Sequence, residues 1–261
     1  MTDDNERNTT ERFTGLADTY AKFRPDYPQS AIQYIIDTAQ LQPESTLADI
    51  GSGTGISTRI MSEQGFRVWG VEPNDEMRAC AESGLPAKSE SGPRYFKGTA
   101  EATTLPNGCV ELVLSAQAFH WFATEKALAE FLRILKPGGW VILMWNERDE
   151  GDDMTRVVGD IIRSFPEADS VEKNRTQCGE LLLTSEYFEQ GHKKIFSHEQ
   201  KVNEEGLIGR ALSASYAPKD PNEIECCKQQ LREIFRRFRK NDSVKLCYKT
   251  SLYCAQSRSV I

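Results

Sequence analysis

The sequence predicts an α/β fold in which a mostly parallel sheet carries helices on both faces. Strand-like and helix-like segments alternate from residue 46 to residue 145, and a glycine-rich turn directly follows the first strand-like segment. Such alternation is typical of a parallel sheet, whose strands are joined by crossover helices. Near the C-terminus, residues 244–254 alternate at period two, which predicts a final antiparallel strand.

The individual elements follow from apolar spacing and from residues that begin or end helices. Pro28 suits the first turn of a helix that buries Ile32 and Ile35. Gly65 is well placed to end the second helix, and Asn74 to cap the third, whose first turn is acidic. The predicted parallel strands are 46–50, 66–71, 94–97, 110–115 and 140–145.

The regular rhythm stops after Trp145. Residues 147–193 contain a helical pattern and no clear strand until Ile195, which suggests an insertion over the sheet edge. The sequence therefore divides into an N-terminal tail at 1–28, a core at 29–146, an inserted cap at 147–193, and the C-terminal half of the sheet with its covering helices at 194–261.

Charge, apolar runs and cysteine content argue against a membrane-spanning, a secreted or a nucleic-acid-binding protein. The net charge is −7, and no apolar run approaches the roughly 20 residues that span a bilayer. The seven cysteines are scattered and no signal peptide precedes them, so we expect reduced thiols in a cytoplasmic protein. The acidic charge argues against wide contact with nucleic acid or an anionic membrane.

The sharpest motif is the glycine loop ADIGSGTGIST at residues 48–58. Glycine is needed where φ is positive or where a ligand must approach the backbone, and such loops cradle part of a nucleotide at a helix N-terminus. The dinucleotide pattern GxGxxG would need a small residue at position 56, where Ile56 stands, and the Lys-Ser/Thr pair of a phosphate-binding P-loop is absent. The GxGxG spacing, with Asp49 just before it, suits a ligand without pyrophosphate.

Glu72 supplies the second element of the site. It follows the second strand, where a carboxylate can accept both hydroxyl groups of a ribose. The alternative is a surface acid at a strand end.

Five segments in order, DIGSGTG, GVEPNDEM, GTAEATTLP, QAFHWF and LKPGGWVIL, resemble the class I S-adenosylmethionine-dependent methyltransferases. They are most similar to the type 11 small-molecule group that includes trans-aconitate methyltransferase-like proteins. The resemblance covers roughly residues 13–150. It implies a Rossmann-like, seven-stranded sheet with an antiparallel last strand, S-adenosyl-L-methionine as cofactor, and a core at 29–146 that binds it.

The resemblance also implies roles for individual residues. The glycine loop would lie under the methionine part of the cofactor, Asp49 beside its amino group, and Glu72 on the ribose. Adenine would lie against Pro73, Asn74 and Met77, and Gln117 and Ala118 beside the sulfonium. The implied cofactor residues are Tyr20, Arg24, Asp49, Gly51, Ser52, Gly53, Gly55, Glu72, Pro73, Met77, Thr99, Ala100, Glu101, Gln117 and Ala118.

The segment 12–28 carries Phe13, Tyr20, Phe23 and Arg24, too many aromatic residues for a plain linker. Similar proteins use it as a lid, in which Tyr20 approaches the methyl group and Arg24 pairs with the cofactor carboxylate. The alternative is that the aromatic rings only dock the terminus and Arg24 forms a structural ion pair.

The segment SAQAFHWF, 115–122, follows the fourth strand at the edge where open α/β sheets bind ligands. His120 has three interpretations: a general base, a neutral donor that orients a substrate carboxylate, or a brace for the loop. Trp121 and Phe122 either line the substrate pocket or pack in the hydrophobic core. Methyl transfer needs no protein nucleophile, and a carboxylate acceptor needs no base.

Acceptor-binding residues are predicted at the same edge. Trp145, Asn146 and Arg148 end the fifth strand, and Arg210 and Tyr216 can approach from a later helix. Cationic groups there would favour an acidic metabolite, whereas the alternative is a capping helix with an exposed arginine.

The sequence therefore predicts a methyltransferase with a small-molecule acceptor, direct in-line transfer and no metal, and leaves monomer or homodimer open. A nucleic-acid methyltransferase is disfavoured because neither an Asn-Pro-Pro-Tyr-like quartet nor a Pro-Cys nucleophile is present. A non-catalytic protein that binds the cofactor is a further alternative, and Ile56 argues against an NAD dehydrogenase.

Overall fold

A computed structural model describes residues 14–85, 92–122, 124–165 and 168–258. Its centre is a seven-stranded sheet with the order β3-β2-β1-β4-β5-β7-β6. The strands are β1 (Thr46–Ile50), β2 (Arg67–Val71), β3 (Arg94–Phe96), β4 (Val110–Ala116), β5 (Leu135–Arg148), β6 (Phe188–Val202) and β7 (Val244–Ser257).

The strand directions confirm the predicted sheet. Strand β1 pairs in parallel with β2 and β4, and the same direction continues to β3 and β5. Strand β7 is antiparallel to both of its neighbours, β5 and β6. The order reverses between β1 and β4, and open α/β sheets bind ligands at the carboxyl edge beside such a reversal.

Helices cover both faces of the sheet, as predicted. They are α1 (Ala17–Phe23), α2 (Gln29–Thr38), α3 (Ile56–Glu63), α4 (Asp75–Ser83), α5 (Thr124–Ile134), α6 (Asp153–Arg163), α7 (Ala168–Thr184), α8 (Glu204–Leu212) and α9 (Pro221–Phe238), with a 3₁₀ turn at Phe119–Trp121. One core packs α2 and α3 against the sheet through Ile32, Ile35 and Met61, and another packs α5 on the opposite face through Leu128 and Phe131.

The predicted helix caps agree with the structure. The Asn74 side chain accepts a hydrogen bond from the backbone N–H of Met77 at 3.0 Å and so begins α4. Gly65, with φ +94°, follows the last residues of α3. The predicted first-turn proline, Pro28, caps α2 instead of lying inside it.

Two strand boundaries differ from the prediction. Strand β5 begins at Leu135 and runs through the KPGG segment, where Gly138 has φ +76°. Strand β6 begins at Phe188 and not near Ile195. It lies at the sheet edge with most of its side chains exposed, so its residues show no apolar alternation, and pairing with β7 defines it.

Residues after β5 form a third core away from the sheet centre. Met154 and Val158 of α6 pack with Leu207 of α8 and with Leu231 and Phe235 of α9. This core joins helices that lie before and after β6, and it supports α8 above the carboxyl edge of the sheet.

Candidate functional site

The glycine loop Gly51–Gly55 leaves β1 in a conformation that glycine favours. Gly51, Gly53 and Gly55 have φ of +71°, +55° and +79°. The loop is tied to the next strand because the N–H groups of Gly51 and Ser52 donate to the carbonyl oxygen of Val71 at 2.9 and 3.2 Å. A Cβ on Gly53 would meet no described atom within 4 Å, so this backbone faces open space that a ligand can enter.

Asp49 lies beneath the loop and is fully buried. Its Oδ2 accepts hydrogen bonds from the hydroxyl groups of Ser57 at 2.7 Å and Thr58 at 2.6 Å. Its Oδ1 is buried and finds no hydrogen-bond partner in the described part of the chain. Burial raises the pKa of Asp49. A buried carboxylate oxygen without a donor is the group that a cationic ligand atom would satisfy.

Glu72 follows β2 and is also buried. Its Oε2 accepts from the N–H of Gly53 and its Oε1 from the N–H of Asn74, both at 2.9 Å. Burial raises the pKa of Glu72, although these two hydrogen bonds favour its charged form. The carboxylate is therefore held in one orientation beside the glycine loop, which rules out the alternative of a surface acid.

The residues predicted around adenine follow β2 and β3. Met77 and Asn74 are buried at the start of α4, and Pro73 lies just before them. Thr99 and Ala102 exchange backbone hydrogen bonds in a turn after β3, which also contains Ala100 and Glu101. The backbone N–H of Glu72 donates to the Phe96 carbonyl oxygen at 3.0 Å, so the ends of these two strands are joined.

Gln117 and Ala118 follow β4 beside the glycine loop. Gln117 has φ +61°, an uncommon value for a residue other than glycine, and such strain is concentrated at functional sites. A Cβ on Gly51 would lie 2.5 Å from Cβ of Ala118, which shows how closely the two segments approach.

Tyr27 was not predicted and belongs to the same group. Burial raises the pKa of Tyr27, and the neighbouring Tyr20 and Asp49 raise it further. The only sequence signal was its place in the aromatic segment before α2.

The N-terminal aromatic segment docks on α8. Phe23 packs against Gly209, and the guanidinium of Arg24 lies 4.5 Å from the centre of the Tyr20 ring. One Arg24 nitrogen, Nη2, donates to the Ser213 carbonyl oxygen at 3.0 Å, while its Nε is buried and has no hydrogen-bond partner within the described ranges. Burial lowers the pKa of Arg24 to about 10, so it stays charged at neutral pH. Phe13 lies outside the described residues.

His120 is buried in the 3₁₀ turn after β4. The indole N–H of Trp145 donates to its Nδ1 at 3.3 Å. Its ring centre lies 4.5 Å from that of Trp121, and Phe122 approaches Gly51. Burial holds the pKa of His120 well below its usual range, and the charges of Arg175 and Arg24 lower it further. The imidazole is therefore neutral at physiological pH.

A cavity of about 110 Å³ opens at the same sheet edge. We call it the arginine-lined cavity; its lining consists of Arg24, Asn146, Glu147, Arg148, Glu150, Arg175, Arg210 and Tyr216. The structure thus brings together the predicted Arg148, Arg210 and Tyr216. The other predicted acceptor-binding residues, His120, Trp121 and Trp145, are not in this lining. Trp145 is buried against His120 and Tyr253.

The arginine-lined cavity carries more positive than negative groups. Its two carboxylates already have partners, since Glu147 accepts from the Ser251 hydroxyl group at 2.6 Å and Glu150 pairs with Arg163. Arg210 is buried and its Nε donates to the Tyr248 hydroxyl oxygen at 3.2 Å. Arg210 is therefore not the exposed arginine of a capping helix, which was the alternative.

Arg175 is the cavity arginine that the sequence did not reveal. It lies on α7, between residues that belong to no recognisable motif. Its Nε is buried and without a hydrogen-bond partner in the described structure.

Within the described ranges, no group of three or more His, Cys, Asp or Glu residues could hold a metal ion. The same residues include no helix with the length and apolar content to cross a bilayer.

Sequence comparison identifies a methyltransferase domain at residues 48–143. A Mycobacterium tuberculosis protein described as an uncharacterized methyltransferase is 35% identical over 156 residues, which span 60% of each chain. The chain thus matches less than two thirds of that relative. An uncharacterized methyltransferase-like protein of Schizosaccharomyces pombe is 30% identical over 93% of this chain and 94% of its own length.

Structure comparison supports the same fold. A Haemonchus contortus phosphoethanolamine N-methyltransferase, solved with phosphomonomethylethanolamine and S-adenosylhomocysteine, matches with a TM-score of 0.54 and 14% identity. The match covers 97% of this chain and 60% of that one. That match shows the fold alone. The 30% identity to the Schizosaccharomyces pombe protein over nearly the whole of both chains, with the methyltransferase domain at residues 48–143, shows that the chain belongs to the class I S-adenosylmethionine-dependent methyltransferases.

Proposed function

We propose that the protein is a methyltransferase that uses S-adenosyl-L-methionine to methylate a small molecule bearing acid groups. The observation that carries the cofactor assignment is the buried Asp49 Oδ1, which lacks a hydrogen-bond donor in the described structure beneath the glycine loop. The open space next to Gly53 supports it, because a ligand can approach the backbone there.

The residues present suit each part of this cofactor. Asp49 would accept from the ammonium group, and Glu72, held by two backbone N–H groups, would accept from the ribose hydroxyl groups. Met77 and Pro73 would contact one side of the adenine, and the turn 99–101 its edge. Gln117 and Ala118 would lie nearest the sulfur.

The cofactor supplies a methyl group already activated by a sulfonium. This chain then has to hold the acceptor in line with the methyl group and to exclude water. These two effects can supply most of the acceleration of methyl transfer. The Tyr20 ring suits the neighbourhood of a sulfonium because aromatic faces attract cations. Arg24 stacks on that ring and lines the arginine-lined cavity, so α1 would cover the cofactor and reach the acceptor.

An acidic acceptor follows from the charges of the arginine-lined cavity. The lining contains four guanidinium groups and two carboxylates, and the two carboxylates contact Ser251 and Arg163. Guanidinium groups bind carboxylates and phosphates through paired hydrogen bonds. A cavity of about 110 Å³ suits a small metabolite and not a polymer. If the methylated atom is a carboxylate oxygen, no general base is needed.

Two measurements test this function. Calorimetry should show that the purified protein binds S-adenosylhomocysteine, and absence of any heat of binding would remove the cofactor assignment. A screen of small acids, phenols and amines with methyl-labelled S-adenosylmethionine should then give label transfer to acids. Transfer to amines or phenols alone would refute the acidic acceptor while leaving the methyltransferase in place.

A further inference from the structure

The hydrogen bond between Trp145 and His120 decides where the histidine carries its proton. An indole nitrogen is a donor only, so Nδ1 of His120 must accept from the Trp145 N–H at 3.3 Å. A neutral imidazole that accepts at Nδ1 carries its single proton on Nε2.

Two other segments hold His120: Trp145 contacts its ring, and Asn174 contacts its backbone. Trp145 lies in β5, is 1% exposed, and packs edge-on against Tyr253 at 5.7 Å between ring centres. The Asn174 side chain of α7 donates to the His120 backbone carbonyl oxygen at 3.0 Å. Helix α7 is thereby attached to the turn that carries the ring.

The Nε2 atom is buried and no hydrogen-bond acceptor for it exists within the described part of the protein. A buried donor without an acceptor is costly, which points to a ligand atom as its partner. His120 is not in the lining of the arginine-lined cavity, but it lies two residues after Ala118, which closely approaches Gly51 of the glycine loop. Arg175 and Arg24, which do line the cavity, are near enough for their charges to lower the pKa of His120.

These contacts argue against the role of general base. A base must take up a proton on an available lone pair, but the lone pair of Nδ1 is occupied by the indole N–H and Nε2 already bears hydrogen.

We propose that His120 is an acceptor-binding residue: a neutral imidazole whose Nε2–H donates to an oxygen of the acidic acceptor. The identity of the ligand rests on the proposed function, whereas the tautomer of His120 does not depend on that function. Proton transfer is not part of the step; His120 orients the acceptor while the arginines neutralise its charge.

Nitrogen NMR of the full chain, labelled at histidine, tests the tautomer directly. The chain has three histidines, so the resonance that disappears in His120→Gln identifies His120. We expect a protonated Nε2 and an unprotonated Nδ1 that stay unchanged between about pH 6 and pH 8, since burial lowers the pKa of this group. A proton on Nδ1, or titration in that range, would overturn the proposal.

The ligand contact is tested with malonate and citrate as probes in the presence of S-adenosylhomocysteine. We expect the Nε2–H resonance to shift when either acid is added. His120→Leu should weaken acid binding by about 10- to 100-fold, as for a lost hydrogen bond to a charged group. His120→Gln, which places an amide N–H near the Nε2 position, should recover most of that loss.

The control variant is His192→Gln. His192 lies on β6, where Nε2 contacts the Tyr34 hydroxyl group, and its replacement should leave acid binding unchanged. Unaltered acid binding in His120→Leu, or a loss confined to S-adenosylhomocysteine affinity, would contradict the acceptor contact. Failure of the wild-type protein to bind S-adenosylhomocysteine would instead refute the proposed function and leave the tautomer result intact.

Discussion

The two halves of the candidate site are built in opposite ways. The cofactor half, around the glycine loop, consists of short segments that directly follow β1, β2 and β4, and its key groups are held by hydrogen bonds to nearby backbone. The arginine-lined cavity takes single side chains from distant segments, namely Arg24, Arg148, Arg175 and Arg210. The first half depends on local backbone shape, and the second on packing of helices over the sheet. Substitutions in the two halves should therefore have separable effects.

The largest effect is expected for Gly53→Arg. The side chain would occupy the space that the glycine loop leaves open, at a backbone φ of +55° that disfavours any side chain. We expect calorimetry to show no binding of S-adenosylhomocysteine while circular dichroism shows a folded protein.

Gly65→Arg is the matched control for that variant. Gly65 also has positive φ and open surroundings, but it lies at the end of α3, so its replacement should carry similar backbone strain and leave affinity intact. Equal affinity in the two variants would show that the open space at Gly53 is not the cofactor site.

Asp49→Asn should weaken S-adenosylhomocysteine binding by about 1.5–3 kcal/mol, because a charged hydrogen bond to the ammonium group is lost. The folded-state pKa of Asp49 is raised, so its contribution to the free energy of unfolding is greatest at low pH and is lost as pH rises through that pKa. The variant should therefore have a higher Tm than the wild type at neutral pH without ligand. A lower Tm would contradict the energetic cost of burying the Asp49 carboxylate. Unchanged affinity for S-adenosylhomocysteine would contradict the contact between Asp49 and the ammonium group.

Glu72→Ala should weaken S-adenosylhomocysteine binding by roughly 1–3 kcal/mol, through lost hydrogen bonds to the ribose and a less ordered Gly53 N–H. Glu111→Ala is the comparison, since Glu111 accepts a hydrogen bond from the N–H of Thr46 at the start of β1, at the opposite edge of the sheet. The control variant should have a lower Tm and an unchanged affinity for S-adenosylhomocysteine. If both variants bind equally well, Glu72 does not contact the ribose.

The smallest effect is expected for Arg175→Met, which removes one of four cavity cations. The KM for an acidic acceptor found in the methyl-transfer screen should rise by about 10-fold, as for one lost charged hydrogen bond, and S-adenosylhomocysteine affinity should not change. Arg156→Met, on an exposed part of α6, should alter neither quantity. An Arg175 variant that lost cofactor affinity instead would show that the two halves are not separable.

The parts of the site that could be predicted are those encoded within a few residues. Asp49 lies within a short apolar strand, and Gly51 to Gly55 and Glu72 directly follow such strands, so the strand pattern predicts where these residues lie. Tyr27 and Arg175 carried no comparable signal, because one lies in a loop and the other in a helix without a motif. The start of β6 was also missed, since an exposed edge strand has no apolar alternation.

The sequence by itself determined the order of strands and helices, the positive-φ glycine loop and the acid at the end of β2, because backbone preferences and apolar periodicity act over short distances. Only the tertiary structure decided that Trp145 donates to His120, that α7 brings Arg175 to Arg24, and that Asp49 Oδ1 is buried. Each of these contacts joins side chains from segments that are far apart in the chain. The side chains become buried and close to one another only when the helices pack on the sheet.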